Sequence, residues 1–283
     1  MQRSIAILRL LALIFLVLCV SISSSSASVE KNNSTVKDLS LISFNLYNRP
    51  INRDQRIDST AMLLKDLDAD IVAFQEVSQG WFLGKNPIDV IQKTLGYYQE
   101  VFYYEDVPPV WQNGLAVLSR WPVRRIKNQT FDVNRFFNIK GFQHVVVETP
   151  AGDIELINLH MAATGRHSIK NPEFQQLSDY ISALNSKVIV LGDFNENRGS
   201  DRIEILRKQN PQLANVYNIV DIGSKSSHAK SYGESCLSEN GKLLDYIFFN
   251  HTGFSLLDAD IYEPAIEPPV SDHCLIRSRF QIN

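Results

Sequence analysis

The chain has 283 residues, 44% hydrophobic and 21% charged, with a formal net charge of −3. This globular composition is long enough to bury a sizeable core as one or two domains, and it excludes disordered, collagenous and coiled-coil chains. Arg3 and Arg9 are the only charges in the first 27 residues, so the remainder carries −5. A net-negative chain lacks the electrostatic footprint of a protein that grips polyanions with its whole surface, which argues against a general nucleic-acid binder.

Residues 1–27 read as a secretory signal peptide. Arg3 and Arg9 precede the unbroken apolar run 10–20, and Ser21 to Ser26 with Ala27 form a small-residue exit. Cleavage after Ala27 and a secreted or periplasmic location follow as expectations. The run is broken by Arg9 and too short for a comfortable membrane span, and Leu18 is too bulky for a lipoprotein signal at Cys19. Residues 28–38 are polar and read as a flexible lead-in to one domain over 39–283, which no Ser/Gly linker, charge block or repeat divides. Cys236 and Cys274 remain of the three cysteines. Cys274 lies in an apolar run, so two buried free thiols are expected, with one long-range disulfide as the alternative outside the cytosol. Asn32, Asn33, Asn128 and Asn250 each begin an N-x-Ser/Thr sequon.

Strand-like runs rich in Val, Ile, Leu and Phe recur at 39–45, 71–76, 115–119, 144–149, 154–160, 188–191, 246–249 and 275–280. Between them, Ile57, Ala61 and Leu64 share one helical face, as do Phe174, Leu177, Ile181 and Leu184. Asn171-Pro172-Glu173 reads as the start of the second helix, and Pro150-Ala151-Gly152-Asp153 as a hairpin turn. The pattern predicts an α/β domain with a mixed sheet system.

Six of these runs begin or end at a carboxylate, amide or imidazole: Asn45, Glu76, His160, Asp193 with Asn195, Asp245, and Asp272-His273. Any one is an ordinary turn or cap residue. Repetition over six strands points to a site, because open α/β sheets bind ligands beyond their strand ends. The chain lacks H-E-x-x-H, paired C-x-x-C, G-x-S-x-G and a P-loop, so zincin, zinc-ribbon, serine-hydrolase and P-loop chemistry have no support.

The segments SFNLYN, DIVAFQEV, LINLHMA, VIVLGDFNEN, LLDYIFFN and VSDHCLIRSRF occur in this order across the chain to Phe280. Together they resemble the six motifs of the endonuclease/exonuclease/phosphatase superfamily. The resemblance implies a four-layer α/β/β/α sandwich of two mixed sheets flanked by helices, with a divalent-metal site at one end. It implies Mg²⁺, with Mn²⁺ as a substitute, held by Glu76 as the principal ligand with Asn45 beside it and Asp272 in support. Hard cations of this kind prefer carboxylate and carbonyl oxygens. Asp193 would orient or deprotonate the attacking water, and Asn195 would donate its amide to the phosphate. His273 would be oriented by Asp245, the base–orienter logic of hydrolytic dyads on other folds. His160 would contact the phosphate or protonate the leaving oxygen.

Residues 113–123 and 136–149 are similar to segments of sphingomyelinases. They favour a sphingomyelinase-like phospholipase C acting on phospholipid headgroups over a secreted deoxyribonuclease, with a catalytically silent binding module as a third reading. The expected partners are a phospholipid or other phosphodiester and transient contact with a membrane surface, or nucleic acid on the alternative; the chain is expected to be a monomer. Lys140 reads equally as a phosphate contact and as a solvated turn lysine. Trp81-Phe82-Leu83 is an apolar triplet that more often packs under its loop than protrudes as a wedge.

Overall fold

The computed structural model describes residues 38–107, 110–132, 139–163, 167–184, 186–221, 225–237 and 241–283. The expected signal peptide, its expected cleavage site and most of the expected lead-in lie outside these residues. The first strands are β1 (Asp38–Asn45), β2 (Ile71–Gln79), β3 (Tyr98–Val107) and β4 (Trp111–Ser119). Next come β5 (Val123–Thr130), β6 (Gly141–Thr149), β7 (Gly152–His160) and β8 (Val188–Asp193). The last are β9 (Leu213–Asn215), β10 (Asp245–Asn250), β11 (Phe254–Tyr262) and β12 (Leu275–Ile282). Four helices are described: α1 (Arg53–Leu67), α2 (Pro87–Leu95), α3 (His167–Ser182) and α4 (Asp201–Gln209).

The strands form two six-stranded mixed sheets, ordered β11-β12-β1-β2-β4-β3 and β5-β6-β7-β8-β10-β9. Strand periodicity explains the layering. Leu39, Leu41, Ile71, Ala73 and Val117 join Val145, Ile157 and Leu159 of the second sheet in one buried cluster. The alternate residues Ile42, Phe44, Val72 and Phe74 pack with Ala61, Leu64, Ile88 and Ile91 of α1 and α2. Helices α3 and α4 flank the second sheet, burying Phe174, Leu177, Ile181, Ile203 and Leu206. The result is the α/β/β/α sandwich that the resemblance implied. A buried polar link ties the sheets together: Gln75 Nε2 donates to Asn158 Oδ1 (2.8 Å), and Asn158 Nδ2 donates to the carbonyl of Phe74 (2.9 Å).

Every strand run read from the sequence is an interior strand, whereas β3, β5, β9 and β11 are the sheet edges. Edge strands carry mixed polar sequences such as VRRIKNQT in β5, which has no buried residue to set an alternation. Asp38 belongs to β1, paired with Gln281, and not to the lead-in. Helix α3 starts at His167 rather than near Pro172, which lies inside it. The added turn is anchored by Lys170, whose Nζ donates to the carbonyl of Asn195 (2.9 Å) and to Glu196 Oε1 (2.8 Å).

Cys236 and Cys274 form a disulfide, with Cα atoms 5.6 Å apart, which corrects the expectation of free thiols. Burial of Cys274 in a strand-like run does not exclude a partner from a loop packed beside it. The triplet at 81–83 splits: Leu83 is buried, while Trp81 is 78% exposed and Phe82 61%. Leu83 N donates to Gly80 O (2.9 Å), and this turn lifts the two aromatic rings away from the core. Among the described residues no helix is long and apolar enough to cross a membrane.

Candidate active site

Sheet topology delivers the polar residues to one end of the sandwich. Asn45, His160 and Asp193 are the last residues of β1, β7 and β8, and Asp245 is the first of β10. Because β10 runs antiparallel to β8, its start meets the end of β8, and Asp245 pairs with Asp193. Asp272 and His273 lie before β12, separated from it by Cys274. At Gly192 the chain has φ +134°, and an added Cβ would lie 2.1 Å from the carbonyl oxygen of Leu159, so only glycine lets β7 and β8 meet beside the site.

Glu76 does not end its strand, as the sequence suggested. It sits at a β-bulge between Phe74 and Val77 with φ 56°, and β2 continues to Gln79. A non-glycine residue held in the left-handed region is strained, and bulges re-aim side chains next to functional sites. The Glu76 carboxylate is steadied by the backbone N–H of Asn48, which donates to Oε2 at 2.8 Å.

Asp193 lies at the centre. Its Oδ2 accepts from Asn45 Nδ2 (3.1 Å), its Oδ1 from the backbone N–H of Asn195 (2.9 Å). His160 Nε2 and His273 Nε2 approach Oδ2 to 3.5 and 3.9 Å. Burial and the neighbouring Asp245 push the Asp193 carboxyl up to about 7. The Asn195 side chain donates to the carbonyl of Met161 (2.9 Å), and its backbone is left-handed at φ 49°.

His273 Nδ1 lies 2.9 Å from Asp245 Oδ2. Burial opposes charge on this ring, but Asp245, Asp193 and Asp272 outweigh it and raise the imidazole to about 10. Buried His160 is the opposite case. Desolvation, Lys140 and His273 hold it well below the ordinary histidine range, so it is neutral, and the Tyr104 hydroxyl lies 3.0 Å from its Nδ1. Lys140 is no solvated turn residue: it is 8% exposed, and its Nζ lies 5.6 Å from the centre of the Tyr104 ring.

The residues present fit a hard divalent cation. Glu76, Asp272 and Asn45 offer oxygen donors without a thiolate. Asp272 is raised by burial and by Glu76, and Asp193 by burial and by Asp245, as in a pocket where carboxylates outnumber cations. Asn45 already uses both side-chain groups inside the protein, since its Oδ1 accepts from Tyr47 N (3.0 Å). Its remaining oxygen lone pair is what it can offer a metal.

Three supporting residues escaped the sequence reading. Ser227 Oγ donates to Asp245 Oδ2 (2.6 Å) while accepting from the backbone N–H groups of Leu244 (3.0 Å) and Asp245 (3.1 Å). Tyr104 comes from edge strand β3. Buried Arg56 donates to five carbonyl oxygens, those of Leu46, Tyr47, Arg49, Ile51 and Val270. Its guanidinium thereby ties the loop after Asn45 to the loop before Asp272. Arg53 and Arg56 continue the buried face of α1 at helical spacing, a cation on an apolar stripe that was legible as a signal.

A family model described as the Endonuclease/Exonuclease/phosphatase family matches residues 42–273. A search of curated proteins returned no match. Among solved structures, an endonuclease/exonuclease/phosphatase from Beutenbergia cavernae has a TM-score of 0.70 at 17% identity, over 87% of this chain and 72% of its own. A mannosyl-6-phosphatase from Bacteroides thetaiotaomicron has a TM-score of 0.65 at 16% identity, over 86% and 99% of the two chains. The human Nocturnin catalytic domain with a bound sulfate anion has a TM-score of 0.66 at 16% identity, over 87% and 94%. At these identities the structures share a fold. With the motif order, the two-sheet sandwich and the family match in agreement, this chain belongs to the endonuclease/exonuclease/phosphatase family.

Proposed function

We propose that the chain is a secreted, divalent-metal-dependent phosphodiester hydrolase, and within that class a monomeric sphingomyelinase-like phospholipase C acting on phospholipid headgroups. The observation that carries the hydrolase reading is the convergence of the His273–Asp245 pair on Asp193 and His160 at one end of both sheets. Glu76, Asp272 and Asn45 would hold Mg²⁺ or Mn²⁺. Such an ion, when bound, neutralises charge on the phosphoryl oxygens. Asp193, raised to about 7, accepts the proton of the attacking water near neutral pH. His273, cationic and aligned by Asp245, donates to a phosphoryl oxygen. Neutral His160, with its Nδ1 3.0 Å from the Tyr104 hydroxyl, would in the Nε2–H tautomer present that hydrogen to the phosphate or the leaving oxygen.

The lipid reading is supported by the aromatic turn. Arg53 is buried, and its NH1 donates to the carbonyls of Leu83 (2.8 Å) and Lys85 (2.5 Å). Trp81 and Phe82 therefore project from a pinned turn, with an apolar body suited to the bilayer interface. The net charge of −3 adds no attraction to DNA.

The test runs sphingomyelin liposomes, assayed for phosphocholine, beside plasmid DNA, each with Mg²⁺. Phosphocholine release is expected. DNA nicking without it would replace the lipid reading with the deoxyribonuclease, and hydrolysis of a sugar phosphomonoester alone would replace both. The double variant Trp81→Ala/Phe82→Ala should bind liposomes on the order of 10-fold more weakly. It should hydrolyse a soluble nitrophenyl phosphodiester as the parent does.

A further inference from the structure

His228 belongs to none of the six motifs. It is held as a backbone bridge between Lys242 and His273: its N–H donates to the carbonyl of Lys242 (3.0 Å), and the next residue's N–H donates to the carbonyl of Asp272 (2.8 Å). Its imidazole stands edge-on to that of His273, with ring centroids 4.6 Å apart and planes at 78°. Its Nε2 lies 3.8 Å from Asp272 Oδ2. One ligand atom each from His228, Asp272 and His273 falls within 4.8 Å of the others. Two ligands on one transition-metal ion, each bonded at about 2.1 Å, stand roughly 3–4 Å apart, so the His228–Asp272 separation already suits a shared ion.

A second, independent feature points to the same ligand class. His273 gives its Nδ1 to the Asp245 carboxylate at 2.9 Å, which leaves Nε2, 3.9 Å from Asp193 Oδ2, as the nitrogen free to bind an ion. A carboxylate behind one ring nitrogen is the usual support of a metal-bound histidine. The side chains of His228 and Asp272 keep 27% and 18% of their surface open to solvent, so an ion can enter from outside.

We propose that His228, Asp272 and His273 form an inhibitory transition-metal site beside the hydrolytic centre. Two imidazole nitrogens and one carboxylate suit Zn²⁺, whereas Mg²⁺ and Mn²⁺ favour oxygen donors. Coordination through His273 Nε2 displaces the proton on that nitrogen to solvent and occupies the group that would otherwise face the phosphate. It also draws Asp272 away from the oxygen-donor ligands. The inhibitory effect rests on the catalytic role given to His273 above, but the site itself is read without substrate.

The test is calorimetric titration of the full folded chain with Zn²⁺ in excess Mg²⁺. Wild-type protein should bind one Zn²⁺ that Mg²⁺ does not displace. His228→Phe, which preserves an aromatic edge against His273, and His228→Asn should each weaken that binding at least 10-fold. Glu76→Gln should leave it within about 2-fold. Pulsed electron paramagnetic resonance of the unmodified chain with Cu²⁺ as the probe should detect imidazole nitrogen coupling, a readout that needs no variant. Wild-type Zn²⁺ affinity in both His228 variants, loss of Zn²⁺ binding in Glu76→Gln alone, or a Cu²⁺ centre without imidazole coupling would overturn the site. If Zn²⁺ binds as described but phosphodiester hydrolysis continues at full rate, the inhibitory role fails while the site stands. Absence of any hydrolysis by the Mg²⁺ protein would count against the proposed function and not against this site.

Discussion

At the residue scale, charge is distributed by burial and neighbours rather than by residue type. Two buried histidines near one aspartate settle in opposite states, His273 cationic beside Asp245 and His160 neutral beside Lys140. His273→Ala and Asp193→Ala should each lower kcat by on the order of 10²-fold or more with circular dichroism unchanged. Asp245→Asn should cost less, because the imidazole survives and only its alignment and charge are lost. Steady-state kinetics on one soluble phosphodiester compares all three. A second carboxyl, Glu173, is fully buried and accepts the N–H of Ala162 (3.0 Å) through Oε2, while Oε1 has no partner among the described residues. Desolvation raises it from 4.5 to about 7. Ionising it therefore costs nothing below 4.5 and up to about 3 kcal/mol above 7. Glu173→Gln keeps the acceptor and removes the charge. Thermal melts should show the variant more stable than wild type at pH 8 and no more stable at pH 4.

At the scale of elements, the site depends on loops whose shape is imposed by α1. Arg56 satisfies its five donors with backbone carbonyls from two loops and has aromatic company from Tyr47, whose ring centroid is 5.1 Å from the guanidinium carbon. Arg56→Met leaves those carbonyls without their donor, a loss of about 3 kcal/mol or more. Because the loops flank Asn45 and Asp272, the Mg²⁺ concentration for half-maximal activity should rise on the order of 10-fold. Arg56→Lys should not restore it, since an ammonium has three donors and no planar fork. Titrating activity against Mg²⁺ separates this positioning role from simple destabilisation, which would leave the midpoint unchanged in the folded fraction.

At the scale of the molecule, the two sheets, their flanking helices and one covalent link define the site's frame. The Cys236–Cys274 bridge spans 38 residues and joins the segment carrying Ser227 and His228 to the residue after His273. On a chain-entropy basis such a loop contributes about 4 kcal/mol. Reduction with dithiothreitol, or Cys236→Ser with Cys274→Ser, should lower Tm by several degrees. Chelation with EDTA should abolish hydrolysis, and Mg²⁺ should restore it; full turnover in metal-free buffer would refute the metal-dependent reading.

The sequence by itself determined the interior of this protein. Strands flanked on both sides must be apolar at nearly every position, so β1, β2, β4, β6, β7, β8, β10 and β12 announce themselves as continuous hydrophobic runs. The residues at the ends of those runs were legible for the same reason, because a carboxylate or imidazole following a buried strand breaks its pattern. Edge strands β3, β5, β9 and β11 did not show, since water on one side relaxes the demand on composition. What only the tertiary structure decided is everything that depends on distance between segments far apart in the chain. It brought Tyr104 from an edge strand onto His160 and Arg56 from a helix onto two loops. It set Ser227 and His228 beside the last motif, paired the two cysteines, and turned Trp81 and Phe82 outward. A side chain's partners follow from packing and sheet order, and a linear pattern records a residue's own burial but not what lies across from it.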